Sequence, residues 1–443
     1  MADGSAILSA DFSPQPFWWR DAPLPRPSRE PLPQATDVAV IGGGVTGLSC
    51  AIELARAGTG VVLIDRDAIG WGASSRNGGA ISAGVTLGRA RSRADLEHEY
   101  GAERFGRMVE EAKSAYDDFF AFVRREGVDC DLRETGRFVA AHSAKALDEL
   151  ERRAALLNGT EGGEAEIVPR ARIAEELGSS RYHGGLVVRR AAALHPARLT
   201  SGLADAASRH GVALHGDTDV RAIIRHDGSA ARCTLQTSRG AIEAREVVVA
   251  TNGYTGTLTP WLARRLVKVA SAMVATEEIG VARVRAVLPK LRVYGDTKRL
   301  TSYFRPSPDG ARVLFGGRAR FLGQSGARTA AELHRTMTTL FPDLARVKVA
   351  HAWSGHLAFS FDYMPHLGYR DGVHYAMACN GSGLVILSHL GRRIADRITG
   401  RANRASAFSD LAFPTKPFYT GHAWFMPLIA TWYELRDRHD MAH

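Results

Sequence analysis

Lysine is scarce in this chain: 50 of its 57 basic residues are arginine, spread along the sequence rather than gathered into a stripe. The formal charge of +10 comes without a helix-turn-helix, zinc-finger or RNA-recognition signature, so it points to anionic small molecules and not to nucleic acid. Cysteine is scarcer still. Cys50, Cys130, Cys233 and Cys379 stand far apart with no CxxC pair, which argues against a structural zinc site or a disulfide framework and fits a reducing cytoplasm. No apolar run approaches the roughly 18 residues that a membrane-spanning helix needs. A basic start followed by an apolar core is missing from the N-terminus, so no secretion signal is read and a cytoplasmic location is expected. Also lacking are an internal repeat, a low-complexity linker, a metal-ligand spacing among the histidines and a convincing serine or cysteine triad.

Glycine, by contrast, is concentrated where it carries meaning. The segment "TDVAVIGGGVTGLSCAIELARAGTGVVLID", Thr36 to Asp65, reads as strand, tight turn, helix and second strand. Within it Gly42 allows the turn, Gly44 lets a phosphate come against the backbone, and Gly47 lets helix pack closely on strand. Val45 and Thr46 open the helix, whose free amides and positive dipole end suit a pyrophosphate. Asp65 ends the second strand, where a carboxylate can accept hydrogen bonds from a ribose, with Arg66 beside it. Strand, glycines, helix and terminal acid occur in register. They imply a bound dinucleotide.

A second glycine-rich loop, "GWGASSRNGGA", follows at once, and a third element, "NGSG", precedes a helix near the C-terminus. A nicotinamide dehydrogenase leaves that late element unexplained. Between them, helical and strand-like stretches alternate. The expected architecture is α/β with two interleaved domains: a Rossmann-like nucleotide-binding domain and a substrate domain built on a mixed, largely antiparallel sheet. Residues 1–34 read as a proline-rich lead-in whose "FWW" packs back on the body. Residues 35–90, 190–262 and 350–410 read as the nucleotide-binding domain, 91–189 and 263–349 as the substrate domain, and 411–443 as a C-terminal extension.

In order along the chain, the fingerprint, "GWGASSRNGG", the "HP" before a helix, "VVVATNGYT", "YFRPSPDGARVLFGG", "WSGHLAFSFDYMPHLG" and the closing "NGSG" helix resemble the FAD-dependent D-amino acid oxidase superfamily. Within it the chain most resembles the γ-glutamylputrescine oxidoreductase branch of amine oxidases, over roughly residues 15 to 435. The resemblance implies that Ser74, Ser75, Arg76, Asn77, Gly78 and Gly79 run beside the flavin, with Thr251 and Asn252 at a strand end on the same cofactor. It implies that Gly381, Ser382, Gly383 and Leu384 face the reduced ring, where a helix N-terminus stabilises developing negative charge. Relatives that attach flavin covalently use a histidine aligned with Arg76 or a cysteine aligned with Gly355, so FAD held without a covalent bond is expected here. Many relatives also carry a histidine where Ser382 stands.

The reaction so implied is oxidation of a C–N bond: hydride passes to flavin N5, and the imine hydrolyses to an aldehyde. Flavin carries the redox step, and protein supplies orientation and charge. The expected substrate is a γ-glutamylated or other carboxylate-bearing amine, the alternatives being an N-methyl or D-amino acid, or no catalysis at all in a flavin-binding protein. In "TSYFRPSPDG" strand alternation puts Tyr303 and Arg305 on one face, a pair suited to a carboxylate. Trp353 and His356, from "HAWSGH", are further candidates beside the flavin. Asp362 is expected to brace the turn before "MPHLG". Leu314 aligns with a lysine that activates oxygen in sarcosine-oxidising relatives, so either oxygen or another carrier is the acceptor. Oligomeric state has no signature in the sequence.

Overall fold

The computed structural model describes residues 4–442 apart from 27, 29, 83–86, 89–90, 162–164, 227–231, 319–325 and 402–404. The run "DVAVI" is apolar and β-branched, as a strand covered on both faces must be. It lies in the strand Ala35–Ile41, whose last four residues are buried. This strand pairs in parallel with Val61–Ile64 on one side and Gly240–Val249 on the other; Val61–Ile64 in turn pairs with Ala213–His215. Val373–Met377 also joins Gly240–Val249 in parallel. Antiparallel strands complete an eight-stranded sheet. Helices Val45–Arg56, Pro196–Arg209 and Gly383–Thr399 cover it through one continuous apolar cluster.

The second sheet has nine strands. From one edge its order is Leu8–Ser13, Val349–Phe359, Val267–Thr276, Val313–Arg318, Ser302–Pro306, Val293–Asp296, Arg137–Ala140, Gly184–Val188 and Ala165–Pro169. Most neighbours are antiparallel, as expected of the substrate domain.

Two segments sit differently from the sequence reading. Val349–Phe359, in sequence part of the nucleotide-binding stretch 350–410 but for its first residue, pairs along its length with Val267–Thr276 in the nine-stranded sheet. Ala102–Arg125 was grouped with the substrate domain. Its apolar stripe, which includes Phe105, Met108, Ala112, Ala115 and Phe119, instead joins the cluster around the fingerprint helix. Helix periodicity identifies a face to bury, but not the layer that buries it. The lead-in does pack back: Phe17 and Trp18 are buried against Met273, Leu314 and Trp353. All four cysteines are free and buried. Among the described residues no helix is long and apolar enough to cross a membrane.

Candidate active site

One cavity of about 1050 Å³ opens between the two sheets. Its nucleotide end is built at the carboxyl ends of the parallel strands, by Ile41, Gly42, Ile64, Asp65, Ala250 and Thr251, where ligands sit in open α/β sheets. Its far end lies on the nine-stranded sheet.

The fingerprint turn is tightly specified. Gly42 has φ +112°, and a Cβ there would lie 2.9 Å from the Ala250 carbonyl oxygen. A Cβ at Gly47 would fall 2.0 Å from the Gly42 carbonyl oxygen, so this glycine sets the helix against the turn and does not line the cavity. The helix begins at Val45 with Gly44 as its cap, a residue with no side chain to bond the first turn. Ser74 Oγ accepts from the Val45 amide at 2.9 Å, joining the second glycine-rich loop to the helix start. Asp65 accepts from the Gly43 and Asp67 amides. Burial raises its carboxyl to about 6.

The loop that carries Ser74 is fastened from behind by aromatic residues. Trp18 Nε1 donates to the Asn77 carbonyl at 2.9 Å, Trp19 Nε1 to Ser75 Oγ at 3.0 Å, and Trp353 Nε1 to the Arg76 carbonyl at 2.7 Å. Arg76 is clasped between the Trp19 and Trp71 rings, with its guanidinium carbon 4.5 and 4.1 Å from their centroids. Asn77 folds back on its own turn, accepting from the Gly79 amide at 2.8 Å. Gly79, at φ +65°, leaves no room for a side chain against the Leu194 carbonyl. Ser74, Arg76, Asn77 and Gly78 face the cavity, whereas Ser75 and Gly79 hold the loop to the body.

A second helix start meets the first. Gly383–Thr399 begins after Ser382, again without a side-chain cap, and Gly381, Ser382, Gly383 and Leu384 all line the cavity. Thr251 and Asn252 line it too, and Asn252 Oδ1 accepts from the Ala378 amide at 3.0 Å, tying the two strand ends together.

The four residues singled out for chemistry separate. Tyr303 lines the cavity, its hydroxyl 2.8 Å from Ser271 Oγ. Arg305 is buried and does not line it. Its guanidinium donates to the carbonyls of Gly78, Gly79 and Leu194 and lies over Trp18. Strand alternation put both residues on one face correctly, but the glycine-rich loop covers Arg305 and leaves Tyr303 open. Trp353 is buried beneath Arg76 and supports the loop. His356 alternates away from Gly355 and Leu357, which do line the cavity; its ring stands edge-on to Tyr254 at 5.3 Å. Asp362 braces its turn, accepting from the Met364 amide and contacting His366 Nε2. Leu314 is packed in the core under Trp353.

Sequence reading missed the clamp residues Trp18 and Trp19, for which "FWW" was a signal of packing only. It also missed Tyr254 and Arg137 in the cavity wall. Arg137 stands in "GRFVAAHS", a short strand with no pattern to distinguish that arginine from a surface one.

Two helix starts and a strand-end carboxylate on one cavity form the donor and acceptor set that a flavin dinucleotide requires. The FAD dependent oxidoreductase (DAO) family model matches residues 37–397, and the chain belongs to that family. It is an FAD-dependent oxidoreductase. It is 32% identical to the γ-glutamylputrescine oxidoreductase of Escherichia coli (strain K12) over 414 residues, 91% of this chain and 93% of that protein. With the probable oxidoreductase OrdL of Rhizobium meliloti (strain 1021) the identity is 30% over 428 residues, 95% and 97% of the two chains. In fold it resembles glycine oxidase from Geobacillus kaustophilus, with a TM-score of 0.68 at 22% identity over 88% of this chain and 99% of that one.

Proposed function

We propose that this oxidoreductase oxidises the C–N bond of an amine that carries a carboxylate, with a γ-glutamylated amine as substrate. The observation that carries this reading is the shape of the cavity. It joins the nucleotide end to a wall on the nine-stranded sheet where Tyr303 and Arg137 face inward. The similarity to γ-glutamylputrescine oxidoreductase supports the amine. Bound FAD supplies a two-electron acceptor for the hydride that leaves the carbon beside nitrogen. The chain's own part is placement. Gly44 and Thr46 present amides to a pyrophosphate, the Val45 amide being held by Ser74, Asp65 presents a carboxylate to ribose hydroxyls, and Ser74, Arg76, Asn77 and Gly78 form the wall against which the ring is held. The start of helix Gly383–Thr399 favours negative charge at the reacting end. Tyr303 closes the site beside Ser271 and orients the substrate, while His356 has no line to it.

The same proposal covers attachment, acceptor and organisation. FAD is held without a covalent bond, oxygen or a second carrier removes its electrons, and the enzyme works in the cytoplasm. The eight-stranded sheet and its helices form the FAD-binding unit, and the nine-stranded sheet the substrate unit. The test is product analysis: the FAD-loaded enzyme supplied with γ-glutamylputrescine and either air or an artificial acceptor is expected to release an aldehyde and ammonia in equal amounts. Neither product forming with either acceptor would discard the reaction.

A further inference from the structure

We propose that the far end of the cavity is a carboxylate subsite, that Arg137 is its binding group, and that the carboxylate it takes lies far along the substrate from the reacting C–N bond. The inference rests on the amine-oxidising reading above and specifies where the substrate's charge sits.

Arg137 begins the strand Arg137–Ala140 and lines the cavity. Among the described residues its guanidinium has no hydrogen-bond or ion-pair partner, and the charge that acts on it is that of a second arginine, Arg153, also in the cavity wall. Burial, with Arg153 adding to it, takes the guanidinium down to about 10. A half-buried guanidinium beside a like charge has donors that an anion can complete. Two of the nearby charges are already satisfied. Asp296 is paired with Lys298 at 2.9 Å and accepts from the Tyr182 hydroxyl and the Ser302 amide. Arg305 has its carbonyls.

The sheet is shaped to leave Arg137 free. A Cβ at Gly295 would lie 3.1 Å from Arg137 Nη2, and one at Gly316 would lie 2.3 Å from the Tyr303 ring. Glycine at both positions lets the guanidinium and the phenol each lie over the strand next to its own. The helix Ala144–Glu161 faces them with Ala146, Glu149, Leu150 and Arg153, which share one helical face.

The position also measures the substrate. A Cβ at Gly78, in the loop assigned to the flavin, would lie 3.5 Å from the Tyr303 ring and 3.6 Å from the Met273 side chain. From the strand of Met273 to that of Gly295 is three strand spacings, and from the Tyr303 ring over Gly316 two, so the span is roughly 10–14 Å. In an α-amino acid the carboxylate is attached to the carbon that bears the nitrogen, and it falls well short of that span. An extended amine acylated through a γ-glutamyl group has the reach, with its carboxylate at the far end.

The probe is glutarate, titrated calorimetrically into the FAD-loaded enzyme, together with the KM for γ-glutamylputrescine. In Arg137→Met the glutarate Kd and that KM are each expected to rise about ten-fold or more, since a charged hydrogen bond is lost. Arg137→Lys keeps the charge without the fork and is expected to recover part of the affinity. Flavin absorbance reports that each variant has folded; should Arg137→Met lose it, Arg137→Gln takes its place. Glutarate bound as tightly by the variant as by the parent enzyme, or not bound by the parent enzyme at all, overturns the subsite. The reading it rests on fails separately. A parent enzyme that binds glutarate through Arg137 but does not oxidise γ-glutamylputrescine keeps the subsite and loses the amine.

Discussion

The hydroxyls of Ser49 and Ser388 lie 2.8 Å apart, buried between the two helices whose starts open on the cavity. One turn further along, a Cβ at Gly391 would stand 2.3 Å from the Thr46 carbonyl oxygen, so the helices approach as closely as backbone permits. The start of helix Val45–Arg56 is therefore positioned by the third turn of helix Gly383–Thr399. Gly391→Val is expected to force them apart, at a cost of about 1–3 kcal/mol from overpacking, and to lower the flavin bound per chain. The ratio of absorbance at the flavin band to that of protein measures it, beside a thermal melt. A variant that melts earlier but keeps its full flavin would separate helix packing from cofactor binding and refute the link.

Arg305 serves the loop. Truncating it to Met leaves the Gly78 and Leu194 carbonyls without their donor, at about 1–3 kcal/mol for an unsatisfied buried group, while the Gly79 carbonyl keeps the Leu194 amide. Expected are a lower melting temperature and a KM that changes in the same proportion for carboxylate-bearing and plain amines. A KM rise confined to carboxylate-bearing amines would return Arg305 to substrate recognition.

His195 predicts how stability depends on pH. It caps the helix Pro196–Arg209, with Nδ1 accepting from the Arg198 amide, which requires the neutral ring. Burial, helped by Arg198, lowers it from its ordinary 6.5 to about 4. Between those values the unfolded chain takes up a proton that the folded chain refuses. Stability is therefore full above pH 6.5 and declines as the pH falls toward 4. His195→Asn keeps a capping acceptor and removes the titration. Its melting temperature is expected to fall less steeply across that interval, and an unchanged slope would mean another group is responsible.

Flavin attachment has its own test. Arg76 and Gly355 offer no side chain for a covalent link, and the one thiol in the cavity wall among the described residues, Cys379, points its sulfur at the Ala358 carbonyl. Acid precipitation is expected to leave all the yellow colour in the supernatant. A yellow pellet that turns colourless in Cys379→Ser would place the link at that thiol.

The nucleotide end of the cavity was legible in the sequence because its geometry is local: Gly42, Gly44 and Asp65 line it through their own backbone or at the end of their own strand. Residues that meet only through the tertiary fold were not. Tyr303 and Arg305 have the same alternation, and a loop some 220 residues earlier decides which of them sees the cavity. His356 was placed by its neighbours in sequence, whereas strand alternation turns it to the other face. Arg137 acquires its interest from two glycines on other strands, Gly295 and Gly316, which no local pattern connects to it.

The central claim is the oxidation of a γ-glutamylated amine. Its most direct test is an anaerobic titration of the yellow enzyme, following the flavin absorbance, with γ-glutamylputrescine in one cuvette and putrescine, sarcosine and D-alanine in others. The account predicts bleaching by γ-glutamylputrescine at far lower concentration than by the other three. Bleaching by sarcosine or D-alanine alone would contradict it and make the enzyme an amino acid oxidase on the same fold.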